Sequence, residues 1–191
     1  MKTTTIALAA VLWCAVGAPA RAAEIDEAKR TVLGLYLTAT EAYEKWKADP
    51  DGVKIIDVRT PEEYLFIGHP AMAWNVPLQF LAYELDPDTK KPVMKPNPRF
   101  LDEVKRIIEP DDTILVTCRS GQRSGPAVNV LAEAGFKNVY SVVDGFEGDM
   151  VRDPESVFRG RRMKNGWRNS GLPWTYEADP DRAYLPGLPA E

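Results

Sequence analysis

A strand that runs straight into a cysteine, and from there through a polar glycine loop into a helix, constrains this chain more than any other feature. Ile114, Leu115 and Val116 form a short apolar β-branched run that reads as a buried strand. Val128, Leu131 and Ala132 recur at helical spacing, and Gly135 stands where a helix C-cap is expected. Between them Cys118 opens the loop Arg119-Ser-Gly-Gln-Arg123-Ser124. A sulfur at the end of a strand, facing loop N–H groups and a helix N-terminus, sits where negative charge is favoured. The thiolate is the nucleophilic form of cysteine, so chemistry is expected here.

The first residues read as an address rather than as fold. Lys2 gives a positive start, the stretch from Thr5 to Gly17 is almost wholly apolar, and Ala20-Arg-Ala22 offers a small-x-small cleavage site. The run is too short to span a bilayer comfortably. Residues 1–22 are therefore expected to be a signal peptide and the protein to be exported to the periplasm, with no membrane attachment after cleavage. Loss of Lys2 and Arg21 takes the basic count from 24 to 22 against 28 acidic side chains, a mature charge of −6. Cleavage also removes Cys14 and leaves Cys118 as the single thiol, without a disulfide partner, in an oxidising compartment. The alternative is a buried structural cysteine, but an Arg/Gly/Ser loop is poor company for one.

The acidic balance argues against a nucleic-acid partner. One histidine, His69, and two cysteines rule out a multi-histidine or zinc-thiolate centre, so no metal is expected.

Along the chain, residues 23–34 form a charged lead with a helical pattern. Leu35 to Leu37 reads as a short strand. Thr38 and Glu41 form a capping box for a helix through Trp46, and Val53 to Val58 is a second buried strand. Thr60 and Glu63 make another capping box, with Pro61 at the first helical position. Ala73 to Val76 reads as a brief strand, and residues 79–98, with prolines at 92, 96 and 98, as a loop or irregular hairpin long enough to carry a role. Asn97-Pro98 is expected to cap a helix whose Phe100, Val104, Ile107 and Ile108 share one face. Val139 to Val143 closes the series. Alternating strands and helices predict an α/β domain with a mostly parallel sheet over residues 35–150. Residues 151–191 form a C-terminal extension expected to pack on that domain through Trp167 and Trp174.

The run Ile56-Asp-Val-Arg-Thr-Pro-Glu-Glu-Tyr64, then Gly68-His69, Asn75-Val-Pro77 and the Cys118-to-Ser124 loop, resembles a single-domain rhodanese, a sulfurtransferase. The resemblance implies a small α/β domain with helices on both faces of the sheet and no organic cofactor. It also implies that Cys118 takes a sulfane sulfur from thiosulfate or a similar donor and passes it, as a persulfide, to a thiol or protein acceptor. One departure stands out: the family's Gly-His-Ile-Pro-Gly-Ala run is here Gly68-His-Pro-Ala-Met-Ala73.

The loop suits that chemistry on physical grounds. Amides from Arg119 to Ser124, Gly121 and Gln122 included, can hold an anionic sulfur, and Gly121 permits a turn that other residues resist. Arg119 and Arg123 offer fixed positive charge for a sulfonate, with a solvated surface charge as the alternative for both and a structural salt bridge for Arg123. Ser120 and Ser124 can donate hydroxyl bonds, and Ser124 can cap the next helix. Asp57 and Arg59 are expected to support the site structurally, Arg59 through a carboxylate such as Glu63. His69 reads as a turn residue satisfied by the backbone. A rival is a cysteine phosphatase or arsenate reductase, but its Cys-x5-Arg loop needs arginine where this chain has Ser124. A further alternative is a carrier or protein-binding module that holds sulfur without turnover.

Overall fold

The computed structural model describes residues 25–109 and 111–185. The expected signal peptide and Glu24 lie outside those residues. Of the charged lead, Glu27–Lys29 form a single 3-10 turn rather than a longer helix, capped by the Asp26 carboxylate.

Five short strands build the central sheet: β1 (Tyr36–Leu37), β2 (Val53–Asp57), β4 (Trp74–Asn75), β7 (Thr113–Thr117) and β8 (Val139–Val142). Their order is β1-β8-β7-β2-β4, and every neighbouring pair is parallel. A parallel sheet must be covered on both faces, and strand alternation divides the work. Ile56, Ile114 and Val116 point to one side, where Phe100, Val104, Val128 and Leu131 meet them. Val53, Ile55 and Leu115 point to the other, against Ala39, Ala42, Phe146 and Trp167. Helix α1 (Ala39–Ala48) thus lies on one face and α3 (Phe100–Val104) with α4 (Ser124–Glu133) on the opposite one, as the α/β expectation required.

The local signals act as their chemistry dictates. Both capping boxes form, Thr38 with Glu41 at α1 and Thr60 with Glu63 at α2 (Pro61–Ile67). Helix α4 ends at Gly135, whose φ of +96° lets the Phe136 N–H return to the Leu131 carbonyl. Asn97 behaves differently from expectation. Arg99 occupies the cap position of α3 without a side-chain bond. Asn97 braces the start of the helix instead, accepting the Arg99 N–H and donating to Pro77 and Glu103.

Residues 79–96 form the irregular hairpin β5 (Gln79–Leu85) and β6 (Pro92–Pro96), with a register shift between Leu81 and Leu85. The C-terminal extension folds back on the domain. Trp167 is fully buried in the second core cluster, and β11 (Trp174–Thr175) pairs with β3 (His69–Pro70). A two-stranded ribbon of β9 (Asp149–Met150) and β10 (Arg162–Lys164) completes the element list.

Candidate active site

The strand order places the site. From β2 the chain moves outward to β4, whereas from β7 it moves the opposite way to β8. The reversal falls between β2 and β7, and crevices at such switch points, beyond the carboxyl ends of parallel strands, are where ligands bind in open α/β sheets. Asp57 ends β2, and Cys118 follows directly on β7.

Cys118 packs on the first core cluster and is 1% exposed. Its sulfur is not sealed under hydrocarbon, however. The Gly121 N–H donates to Sγ at 3.2 Å, and the residue lines a cavity of about 740 Å³. A single amide, rather than the whole run from Arg119 to Ser124, reaches the sulfur among the described residues. The loop is pinned from behind, as the Phe146 and Glu147 N–H groups take the carbonyls of Cys118 and Arg119 at 2.7 and 2.9 Å. Gly121 has φ +90°, and a Cβ there would stand 2.1 Å from the Val143 carbonyl oxygen, so both conformation and space demand glycine.

The two arginines differ. Arg123 donates from both guanidinium ends to Glu63, at 2.6 and 2.7 Å. Burial pushes the Glu63 carboxyl up, but these bonds and the Arg123 charge outweigh it and leave the group below its ordinary range. The salt-bridge alternative for Arg123 is therefore the one that forms. Arg119 is half-exposed and, among the described residues, held only through Nε, 3.2 Å from a Glu147 oxygen, at the rim of the cavity. Ser120 is buried and Gln122 exposed on the same rim. Ser124 does not cap α4. It is the first residue of that helix, and its buried hydroxyl has no partner among the described residues.

Arg59 does not pair with the Glu63 carboxylate, as expected, but with Asp57. Both are fully buried, with Nη2 2.6 Å from Oδ2, and Nη2 also reaches the Gly68 carbonyl at 2.8 Å. Residues two apart at a strand end share a face, which is why Asp57 rather than Glu63 is within reach. Burial acts to lower the Arg59 guanidinium, but the charge of Asp57 and its hydrogen bonds outweigh it and leave Arg59 above its ordinary value. The supporting role expected for Asp57 and Arg59 thus takes the form of a brace between β2 and the end of α2. His69 is buried and stacked on Tyr64 at 3.6 Å. Its Nδ1 lies 3.0 Å from the Tyr64 carbonyl, so that nitrogen is the donor. Burial holds its pKa below the usual imidazole range.

Two groups of cavity residues were not singled out in the sequence as site residues. Leu81, Lys91, Pro92 and Met94 come from the hairpin, and Arg162 from β10. The only advance signal was the length of the 79–98 segment. Among the described residues no cluster of histidine, cysteine and carboxylate side chains has metal-binding geometry.

Comparison with known proteins agrees with this geometry. A rhodanese-like domain model matches residues 38–149. The chain is 30% identical over 140 residues to an uncharacterised protein of Rickettsia rickettsii, the RP600 homolog, covering 73% of this chain and 96% of that one. It is 38% identical over 95 residues to thiosulfate sulfurtransferase 16 of Arabidopsis thaliana chloroplasts, covering 50% of this chain and 72% of that protein. The crystal structure of Rv0390 from M. tuberculosis superimposes with a TM-score of 0.58 at 32% identity, over 74% of this chain and 96% of that one. With the family's motif residues gathered at the switch point of a parallel sheet, this chain belongs to the rhodanese-like domain family.

Proposed function

We propose that the protein is a sulfurtransferase that carries sulfane sulfur as a persulfide on Cys118. The supporting observation is the Cys118 sulfur at the base of a pinned loop, receiving the Gly121 N–H and bordering a cavity with a cationic rim. In the first half-reaction the thiolate attacks the outer sulfur of thiosulfate or a similar donor. A new S–S bond forms, the donor's own S–S bond breaks, and sulfite leaves with the electron pair. The Gly121 amide that faces the thiolate can also face the persulfide anion. In the second half-reaction an acceptor thiolate attacks the terminal sulfur, and Cys118 is released as a thiolate. No proton acceptor is required if the cysteine enters ionised, so His69, tied to the backbone, stands outside the chemistry. We further propose that residues 1–22 direct export and are removed, so that the mature protein acts in the periplasm.

Mass spectrometry of the purified protein with and without thiosulfate tests the reading. The expected result is a gain of one sulfur on the Cys118 peptide, no transfer by Cys118→Ser, and a near-native melt for that variant. Transfer surviving in Cys118→Ser overturns the mechanism. A persulfide that forms but is never passed to cyanide or a thiol would indicate a carrier instead.

A further inference from the structure

We propose that the sulfur compound taken by Cys118 carries an organic, apolar body behind its anionic sulfur group, and that Leu81 and Met94 recognise that body. The inference rests on the sulfurtransferase reading above and names the substrate class of that same site.

The cavity over Cys118 is about 740 Å³, within the range that encloses whole organic ligands and far more than a thiosulfate ion fills. Its lining also includes the Glu62 and Glu63 carboxylates, the first accepting the Tyr83 hydroxyl and the second paired with Arg123, beside two further kinds of wall. Lys91, Arg119 and Arg162 supply positive charge. Leu81, Pro92 and Met94 supply hydrocarbon from the β5–β6 hairpin. Leu81 and Met94 are register partners across that hairpin, so their side chains share one face and make a continuous patch. Both are half-buried and outside the two core clusters, so packing of the domain does not account for them. The hairpin is also tethered beside the site. Tyr83, held at φ +57° where the register shifts, donates its hydroxyl to Glu62 of α2 at 2.7 Å. An inorganic donor needs the cations alone, whereas an apolar wall facing them suits an amphiphilic anion such as an organic thiosulfonate. The reaction balances without an oxidant. The Cys118 thiolate bonds to the outer sulfur, the donor S–S bond breaks, and a sulfinate leaves with the electron pair.

Benzenethiosulfonate and methanethiosulfonate share the reacting group and differ in the apolar body. Rates of Cys118 persulfide formation with each are read by mass spectrometry, and their ratio is divided by the same ratio for a free thiol in solution. The corrected ratio is expected to favour the benzene compound by about tenfold or more, the size of effect that burying one ring against hydrocarbon supports. Met94→Gln and Leu81→Asn, each checked by thermal melting, should bring it to within about twofold of solution. A corrected ratio near one in the unaltered protein overturns the proposal, as does a ratio that neither substitution lowers. Failure of both compounds to load Cys118 while thiosulfate loads it overturns the proposal alone, and failure of all three overturns the sulfurtransferase reading and the proposal with it.

Discussion

Arg119 and Arg123 flank the same glycine yet meet different fates, and the difference is one of available partners. Arg123 finds Glu63 at bidentate distance and becomes part of the scaffold. Arg119 is held by one nitrogen and keeps the rest of its fork at the cavity rim. On the sulfurtransferase proposal its charge would act on a donor anion before and during attack alike, and so would contribute mainly to ground-state binding. Arg119→Ala is therefore expected to raise KM for an anionic donor roughly fivefold while lowering kcat much less. Steady-state kinetics check this, and equal falls in kcat and kcat/KM would contradict it. Cys118 itself shows that a buried residue can still border a cavity. At 1% exposure the sulfur still has an amide on one side and a cavity on the other.

Among the elements, Glu63 does two jobs: it closes the capping box of α2 and holds Arg123 at the start of α4. The folded-state carboxyl lies below its ordinary value near 4.5, so the unfolded chain binds a proton there first as pH falls. The stabilisation is complete above about pH 4.5 and is lost as pH drops through the lowered value. Glu63→Gln should cost about 2 kcal/mol at neutral pH and show a shallower loss of stability below pH 4.5 than the unaltered protein. Denaturant titrations across pH measure both. His69 acts in a separate window. With its folded value depressed below 6.5, it begins to oppose folding as pH falls below 6.5, before Glu63 is affected. What was legible in the sequence follows the same division by distance along the chain. The two capping boxes, Gly121, Gly135 and the cysteine loop were readable, because each depends on neighbours within a turn or two. Glu63 with Arg123 is separated by 60 residues, and packing alone decides such a partnership. Arg59 with Asp57 was within reach of strand geometry, but the capping carboxylate four residues on was the more conspicuous partner. The hairpin wall was not readable, since nothing in its composition says which way Leu81 and Met94 face.

For the molecule as a whole, the C-terminal extension acts as a second half of the core rather than as a tail. Trp167 is fully buried among Ala42, Val142 and Phe146, its indole N–H donating to the Pro173 carbonyl at 2.8 Å. Asp144 fastens that arrangement, receiving the N–H groups of Ala39 and Gly166 at 2.8 and 2.9 Å. Trp167→Ala is expected to cost about 3–5 kcal/mol, read as a lowered denaturation midpoint with an unchanged slope. A loss below about 1 kcal/mol would mean that the extension only rests on the domain. The turn after β8 carries a consequence of another kind. Gly145 crosses directly behind the cysteine loop, and a Cβ on it would lie 2.5 Å from the Cys118 carbonyl oxygen and 2.6 Å from the Ser120 nitrogen. With the backbone so close, an added residue in the loop has nowhere to go unless the crossing segment is rerouted too. The step from this loop to the one-residue-longer Cys-x5-Arg loop of a cysteine phosphatase is one insertion in sequence, but in this architecture it demands two coordinated changes.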